Sequence, residues 1–401
     1  MKMKRVNGIY EENLKALFEK KLIKNNYNFN KIPFILFGAG NLGLRTLTGL
    51  KKIGIKPVAF GDNDEKKMDT SINGIEVFSK EKIMSKYGDN ILIVLTIWKG
   101  STGKEKRVST LIKGLQEFGF KHVVDITKLY NDYPDTFLPY YCIGNPENVY
   151  SSEDKILECY KLFDDVISKK QYYEQVKWRI SHDNWEEFVD VDYNTYFQRD
   201  LYELNENDII YDCGAFDGDT IRALLHKKLC FKKIISFEPD KNNFDKLKKF
   251  VEKQESYIQK KIQMFEYAVG NKEEILLFDA TGDADSKVSN NGDSKVKSIT
   301  IDNFAKENPQ NIPTIIKMDI EGFEREALLG SEIIIKQQKP ILAICVYHKQ
   351  SDLWEIPLLI NKISDGYKFY LRHHVGDCWD TVLYAIPKER RKIKEKQVCV
   401  K

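Results

Sequence analysis

Three carboxylates crowd one tight turn of this chain. Asp208–Thr220 reads Asp-Ile-Ile-Tyr-Asp-Cys-Gly-Ala-Phe-Asp-Gly-Asp-Thr. An apolar strand runs into a glycine turn at Gly214 and Gly218, then into a helix, as in the first βα unit of a nucleotide-binding sheet. Asp212, Asp217 and Asp219 stand where a dinucleotide would place its pyrophosphate, and like charges repel. The turn therefore suits a cationic ligand without phosphates. S-adenosylmethionine, with its sulfonium and ammonium groups, is such a ligand.

Other acids fall at matching places. Glu238 ends the next strand, 20 residues after Gly218, where a carboxylate accepts hydrogen bonds from two ribose hydroxyls. A third strand, Ile262–Gly270, ends in Tyr267-Ala268-Val269, and Ala268 is placed beside an adenine ring. The apolar run after Thr314 ends in Asp319, Glu321 and Glu324 around Gly322. In a parallel sheet such strand tips line the ligand crevice. These acids can hold an ammonium group, bind a metal or act as base, although no spacing demands a metal. Glu321 and Glu324 can equally cap the following helix. His348 follows the strand Pro340–Val346. Its side chain titrates near working pH, so it is either a general base, assisted by Asp319 or Glu321, or a satisfied structural histidine. Arg372, His373 and His374 are expected in a polar loop, where Arg372 can receive an anionic substrate.

A second glycine loop near the N-terminus has the opposite electrostatic character. Gly38-Ala39-Gly40-Asn41-Leu42-Gly43 follows the strand Ile32–Phe37, and Asp62 lies 19 residues beyond Gly43. The spacing matches the dinucleotide fingerprint, in which the acid holds a ribose. No acid stands inside this loop, so its helix N-terminus can accept a phosphate. Three readings are open: a purely structural turn, a nucleotide or nucleotide-sugar site at Gly38, Gly40, Gly43 and Asp62, or an NAD(P) site. Trp98–Ser101, after the strand Ile91–Ile97, is expected on the same sheet edge.

These loops need α/β scaffolds. Two Rossmann-like domains are predicted, joined by a helical connector. Residues 1–127 form the first, opening with an amphipathic helix over residues 10–24 (Leu14, Leu17, Phe18, Leu22). Residues 128–206 form the connector, with helices over Ser152–Ser168 and Lys170–Ile180 and an aromatic run, Tyr193, Tyr196 and Phe197, that walls the pocket or simply packs. Residues 207–387 form the second domain, with a hairpin around Thr281–Asp293 and a closing antiparallel pair, Tyr367–Leu371 and Asp380–Ile386. Residues 388–401 are a basic tail.

The totals exclude several classes. Sixty-three basic and 60 acidic residues leave a net charge of +3, too little for a field that gathers nucleic acid. Seven cysteines without a C-x-x-C pair fit reduced thiols rather than a disulfide framework or zinc site. No apolar leader and no run of ~18 apolar residues is present, so a cytoplasmic protein without a transmembrane segment is expected.

With these motifs placed, residues from about 205 to 387 resemble the FkbM family of S-adenosylmethionine-dependent methyltransferases. The resemblance rests on DCGAFDGDT, SFEPD, AVGN, KMDIEGFE, ICVYHK and RHHVGDCWDTVLYA, in that order. It implies a class I methyltransferase sheet of seven strands, one antiparallel, and methyl transfer to a hydroxyl oxygen, often of a sugar or polyketide. It places Asp212, Gly214 and Asp217 along the methionine part of the cofactor, Glu238 at its ribose and Asp319 at the transfer site. The N-terminal domain is more loosely similar to nucleotide-sugar-binding domains attached to sugar-modifying enzymes. It is expected to hold an activated sugar or glycan, or to fix a homodimer. Two other classes compete: an NAD(P)-dependent sugar oxidoreductase using the N-terminal loop, and a non-catalytic glycan- or nucleotide-binding protein. The intact Asp212, Glu238 and Asp319 argue against the last.

Overall fold

The computed structural model describes residues 2–19, 27–98, 107–182, 195–279, 287–288, 292 and 294–392. The chain divides into two compact units. The first comprises Met1–Glu153, Lys170–Tyr193 and His373–Trp379, and the second Asp154–Lys169, Asn194–Arg372 and Asp380–Lys401. The helices of residues 128–206 are thus shared between the two.

The first unit is built on six strands: β1 (Phe34–Phe37), β2 (Ala59–Gly61), β3 (Ser71–Ile72), β4 (Ile75–Phe78), β5 (Leu92–Leu95) and β6 (His122–Asp125). Their order is β3-β4-β2-β1-β5-β6. All neighbours run parallel except the β3–β4 hairpin. Phe34–Phe37 and Leu92–Leu95 are buried at every position, which is why both read as unbroken apolar runs rather than alternating ones. The opening helix spans Lys2–Glu19, earlier than the expected 10–24, and residues 20–26 lie outside the described residues. The Ser152–Ser168 helix is interrupted. Helices Glu153–Leu162 and Val166–Ser181 flank a break at Phe163–Asp165. There Asp165 accepts the Ser168 amide at 2.7 Å, and a local side-chain acceptor of this kind competes with helix continuation.

In the second unit, β7 (Ile209–Cys213), β8 (Lys233–Phe237) and β9 (Ile262–Phe265) come first. The short strands β10 (Ala268–Val269), β11 (Ile275–Asp279), β12 (Lys287–Val288) and β13 (Ser294–Ile299) follow. β14 (Ile315–Met318), β15 (Ile341–Cys345), β16 (Tyr367–His373) and β17 (Thr381–Pro387) close the chain. Seven form the main sheet, in the order β16-β17-β15-β14-β7-β8-β9. β9, β8, β7, β14 and β15 are mutually parallel, and β17 is antiparallel to β15. This is the expected seven-stranded sheet with its antiparallel member. Because chain order reverses between β7 and β14, the C-terminal ends of these two strands flank the switch point where ligands bind in such sheets.

The expected third strand, Ile262–Gly270, is in fact two. β9 ends at Phe265, and β10 leaves the main sheet to pair with β13 (Ala268 opposite Ser298), in a four-stranded sheet ordered β10-β13-β11-β12. The expected hairpin is β11 against β13, antiparallel, with Ile275 opposite Lys297. Most of Thr281–Asp293 lies outside the described residues.

Arg372 and His373 belong to β16, His374 follows it, and all three are buried, so they do not form the polar loop expected there. The Arg372 guanidinium meets Asp165 at 2.7 Å and Asp200 at 3.0 Å and is not available to an anionic substrate. Burial pushes the His373 imidazole down to about 3.

Candidate active site

The site lies at the C-terminal tips of β7, β8, β14 and β15. At the end of β7 the chain turns through Gly214, whose φ is +79°. The Gly214 and Ala215 amides both donate to the Phe237 carbonyl at 3.0 Å. A Cβ at 214 would stand 1.8 Å from the Asp319 carbonyl oxygen, so only glycine lets the turn lie against the tip of β14.

The acids of this turn are largely compensated. Asp212 is fully buried, 3.1 Å from the Lys317 ammonium, and accepts from the Thr220 hydroxyl at 3.2 Å. Lys317 also donates to the Gly214 carbonyl at 2.6 Å. Burial works against its charge, but Asp212, Asp319 and Asp219 outweigh that and raise its pKa. Asp217 pairs closely with Arg222. Asp219, in the first turn of the helix Asp219–His226, accepts the amide of Thr220 at 2.7 Å. Repulsion among three bare carboxylates is therefore not what distinguishes the turn. The signal overlooked in the sequence is Lys317, a cation inside the otherwise apolar strand Ile315–Met318.

Glu238, at the tip of β8, accepts the Phe216 and Asp240 amides, each at 2.8 Å. Burial pushes its carboxyl up to about 7 despite these bonds. Each of its oxygens keeps a lone pair for a further donor. Ala268 is buried in β10, with the half-buried Tyr267 before it stacked on Phe265 at 5.9 Å between ring centroids.

Past β14, Asp319 accepts the Tyr196 hydroxyl at 2.6 Å and the Tyr347 hydroxyl at 3.1 Å. Its carboxyl is half-buried, and that desolvation alone would raise its pKa. His348, Lys317 and Tyr196 instead hold it well below the usual carboxylate range. Tyr196 is itself fixed, its amide on the Tyr384 hydroxyl at 3.1 Å and its carbonyl on the Tyr202 hydroxyl at 2.5 Å. Of the other two aromatics expected in this run, Phe197 is buried and Tyr193 lies outside the described residues. Glu321 takes a positive φ of 54°, uncommon for a side-chain-bearing residue and frequent at functional sites.

His348, at the tip of β15, is the centre of this group. Its Nε2 is 3.3 Å from Asp319 and 3.5 Å from Glu321, and its Nδ1 is 2.8 Å from Glu324. Burial alone would strip the imidazole of its proton. Glu324, Glu321 and Asp319 reverse that, and its pKa lies well above the usual value. Asp319, Glu324 and His348 also bring one donor atom each within 4.8 Å of one another, a spacing at which a cation can be held. A network sharing protons has the same spacing.

The first unit's loop is laid out on the same plan. Asp62 accepts the Ala39 amide at 2.8 Å and meets Lys67 at 3.2 Å. A Cβ at Gly38 would strike Ile97 at 2.6 Å, and one at Gly43 would strike the Gly38 carbonyl at 2.1 Å. A Cβ at Gly40 would meet nothing within 4 Å, and its φ of −99° needs no glycine. Trp98 is buried, its indole donating to the Asp377 carbonyl at 2.9 Å, and Lys99–Ser101 lie outside the described residues.

The six described cysteines are all buried but Cys230. Among the described residues no helix is long and apolar enough to cross a membrane.

Comparison with known proteins agrees with the motif reading. Residues 212–369 match the family described as the methyltransferase FkbM domain. The chain is similar to the hexuronic acid methyltransferase AglP of Haloferax volcanii, 25% identical over 135 residues. That match covers 32% of this chain and 52% of AglP, about half of that relative's length. In fold, it is similar to the methyltransferase FkbM of Methylobacillus flagellatus KT, with a TM-score of 0.75 and 19% identity over 95% of this chain and 99% of that one.

Proposed function

We propose that this methyltransferase uses S-adenosylmethionine and methylates a hydroxyl of a sugar-type acceptor, a sugar acid foremost. One observation carries the reading: the FkbM-domain match coincides with strand tips that gather Glu238, Asp319, Glu321 and His348. The sugar acceptor rests on the similarity to AglP, whose name gives hexuronic acid as its substrate.

The residues present fit a cationic, ribose-bearing ligand. Glu238 has unused acceptor capacity at the strand tip where the motif reading puts a ribose, and the pKa of Asp319 is held low. When bound, S-adenosylmethionine supplies a methyl group on a cationic sulfur that is already a good leaving group. The chain's task is then alignment and proton removal. His348 would take the proton of the acceptor hydroxyl as its oxygen is methylated. The carboxylates around His348 raise its pKa and so oppose release of the imidazole proton. A cationic ligand beside Asp319 favours this release, because like charges lower the pKa of an imidazole.

In the first unit, Gly40 supports a second ligand site. Neither packing nor backbone conformation requires glycine there, and a Cβ would meet nothing within 4 Å. Asp62 would then act mainly by holding the loop shut.

Thermal-shift measurements with S-adenosylmethionine, S-adenosylhomocysteine, NAD and UDP- or GDP-sugars test the assignment, since a ligand of the native state raises Tm. Methyl transfer from labelled cofactor to free and UDP-linked hexuronic acids then identifies the acceptor. Stabilisation by NAD without any by S-adenosylhomocysteine would overturn the reading. His348→Ala is expected to lower turnover by ~10²-fold or more with cofactor affinity nearly intact; unchanged turnover would remove His348 from the chemistry.

A further inference from the structure

Tyr196 is an aromatic residue in the left-handed backbone region, with φ at +64°. For a bulky side chain that conformation is costly and persists only where the surroundings enforce it. Two other tyrosines enforce it here. The Tyr196 amide donates to the Tyr384 hydroxyl at 3.1 Å, and the Tyr202 hydroxyl donates to the Tyr196 carbonyl at 2.5 Å. The residue is buried, and the Lys317 ammonium stands 5.1 Å from the centroid of its ring. With its backbone and ring fixed in this way, Tyr196 presents its phenol hydroxyl to the strand-tip acid. The hydroxyl donates to Asp319 Oδ2 at 2.6 Å, a length typical of an O–H donor on a charged carboxylate.

We propose that Tyr196 is a positioning residue for the methyl donor: its phenol orients the Asp319 carboxylate toward the donor's positive sulfur. The proposal rests on the methyltransferase reading above. The main chain of Asp319 is already tied to the tip of β7, its amide donating to the Cys213 carbonyl at 3.1 Å. The side chain keeps its own torsions. Tyr347, from the tip of β15, donates to Oδ1 at 3.1 Å, and Tyr196, from the stretch before β7, donates to Oδ2. Bonds to both oxygens, from two separate elements, set the plane of the carboxylate. Each oxygen still has a second lone pair. A cation entering the crevice then meets a negative group that need not reorganise, and a fixed charge discriminates between charged and neutral ligands better than a mobile one.

Packing alone makes a different prediction. Phenylalanine at 196 keeps the ring, its place beside Lys317 and both backbone hydrogen bonds. It removes only what the hydroxyl touches, Asp319 and the Cys345 thiol at 3.8 Å.

The test is calorimetric binding of S-adenosylmethionine and S-adenosylhomocysteine to the full chain, two ligands that differ by one methyl group and one positive charge. In Tyr196→Phe the affinity ratio of the first to the second should fall roughly fivefold or more, the worth of one net hydrogen bond, while S-adenosylhomocysteine binding stays within about twofold. Asp319→Asn removes the charge itself and should lower the ratio at least as far. Adding Tyr196→Phe to Asp319→Asn should change the ratio no further, because the phenol acts through that carboxylate. Equal weakening of both ligands in Tyr196→Phe, or an unchanged ratio, would reduce Tyr196 to packing. A full effect of Tyr196→Phe in the Asp319→Asn background would also overturn the proposal. The contact itself is read without ligand: Tyr196→Phe should lower Tm in the otherwise wild-type chain and by clearly less in Asp319→Asn, and equal shifts would strike it. Binding of neither ligand by the wild-type chain, with that coupling intact, would overturn the methyltransferase reading and the proposal with it, whereas binding without the change in ratio overturns the proposal alone.

Discussion

In both units the acid at the end of the second strand turns back onto the glycine loop. Asp62 accepts the Ala39 amide at 2.8 Å, and Glu238 accepts the Phe216 amide at the same distance. A side chain from the strand on the other side of the loop then clamps the first glycine's carbonyl. In the first unit this is the Thr96 hydroxyl, 2.7 Å from the Gly38 oxygen; in the second it is the Lys317 ammonium, 2.6 Å from the Gly214 oxygen. The frames are the same and the charges differ. Around the first loop the clamp is neutral. Around the second it is a buried cation balancing Asp212, next to the Asp319–His348–Glu324 cluster. The glycine fingerprint is thus a device for closing a βα turn, and the chemistry enters through the neighbouring strand ends.

Matched substitutions in the two loops sharpen or break this comparison. The largest difference is expected at the clamps. Lys317→Met leaves the Asp212 carboxylate buried without its partner, a loss of about 3–5 kcal/mol in denaturant unfolding at neutral pH. Burial holds the folded-state pKa of Asp212 above its unfolded value even beside Lys317, and loss of the ammonium raises it further. The lost stability should therefore return as pH falls through that raised value. Thr96→Val removes only a neutral hydrogen bond and should cost about 1 kcal/mol, with no such pH dependence. Equal losses at the two positions would mean that the charge is incidental.

Next come the glycines. Gly214→Ala combines a positive φ with a Cβ driven onto the Asp319 carbonyl, and about 3 kcal/mol or more should be lost. Gly40→Ala meets open space and should stay within about 0.5 kcal/mol in the same unfolding measurement. A comparable loss at Gly40 would show that this loop needs all its glycines for folding. The smallest effect concerns the two acids. Glu238→Ala should weaken S-adenosylhomocysteine binding by about 10-fold, roughly 1.4 kcal/mol by calorimetry, and Asp62→Ala should leave it unchanged. A matching loss in Asp62→Ala would mean that the first loop takes part in binding the methyl donor.

Much of this was legible in the sequence. Continuous apolar runs such as Phe34–Phe37 and Ile341–Cys345 announced buried strands, and the glycine spacings announced the turns after β1 and β7. Less legible was anything that depends on a partner far along the chain. Ile262–Gly270 reads as one strand because its apolar content hardly changes, yet pairing with β13 draws Ala268 and Val269 into another sheet. Arg372 reads as a solvated loop residue because Asp165 and Asp200, which bury its charge, lie far earlier in the chain.

What the sequence determined by itself was the type and order of the strands, the two tight turns and the acid at each second-strand tip. These follow from side-chain period, backbone freedom and short spacings, all local properties. What only the tertiary structure decided was the charge balance. Lys317 lies 105 residues from Asp212 and His348 lies 24 from Glu324, yet sheet pairing sets them 3.1 Å and 2.8 Å apart. Coulomb energy depends on distance in space and on burial, neither of which is written in local sequence. A turn that reads as three repelling acids is therefore, once folded, a compensated scaffold beside a separate and more acidic site.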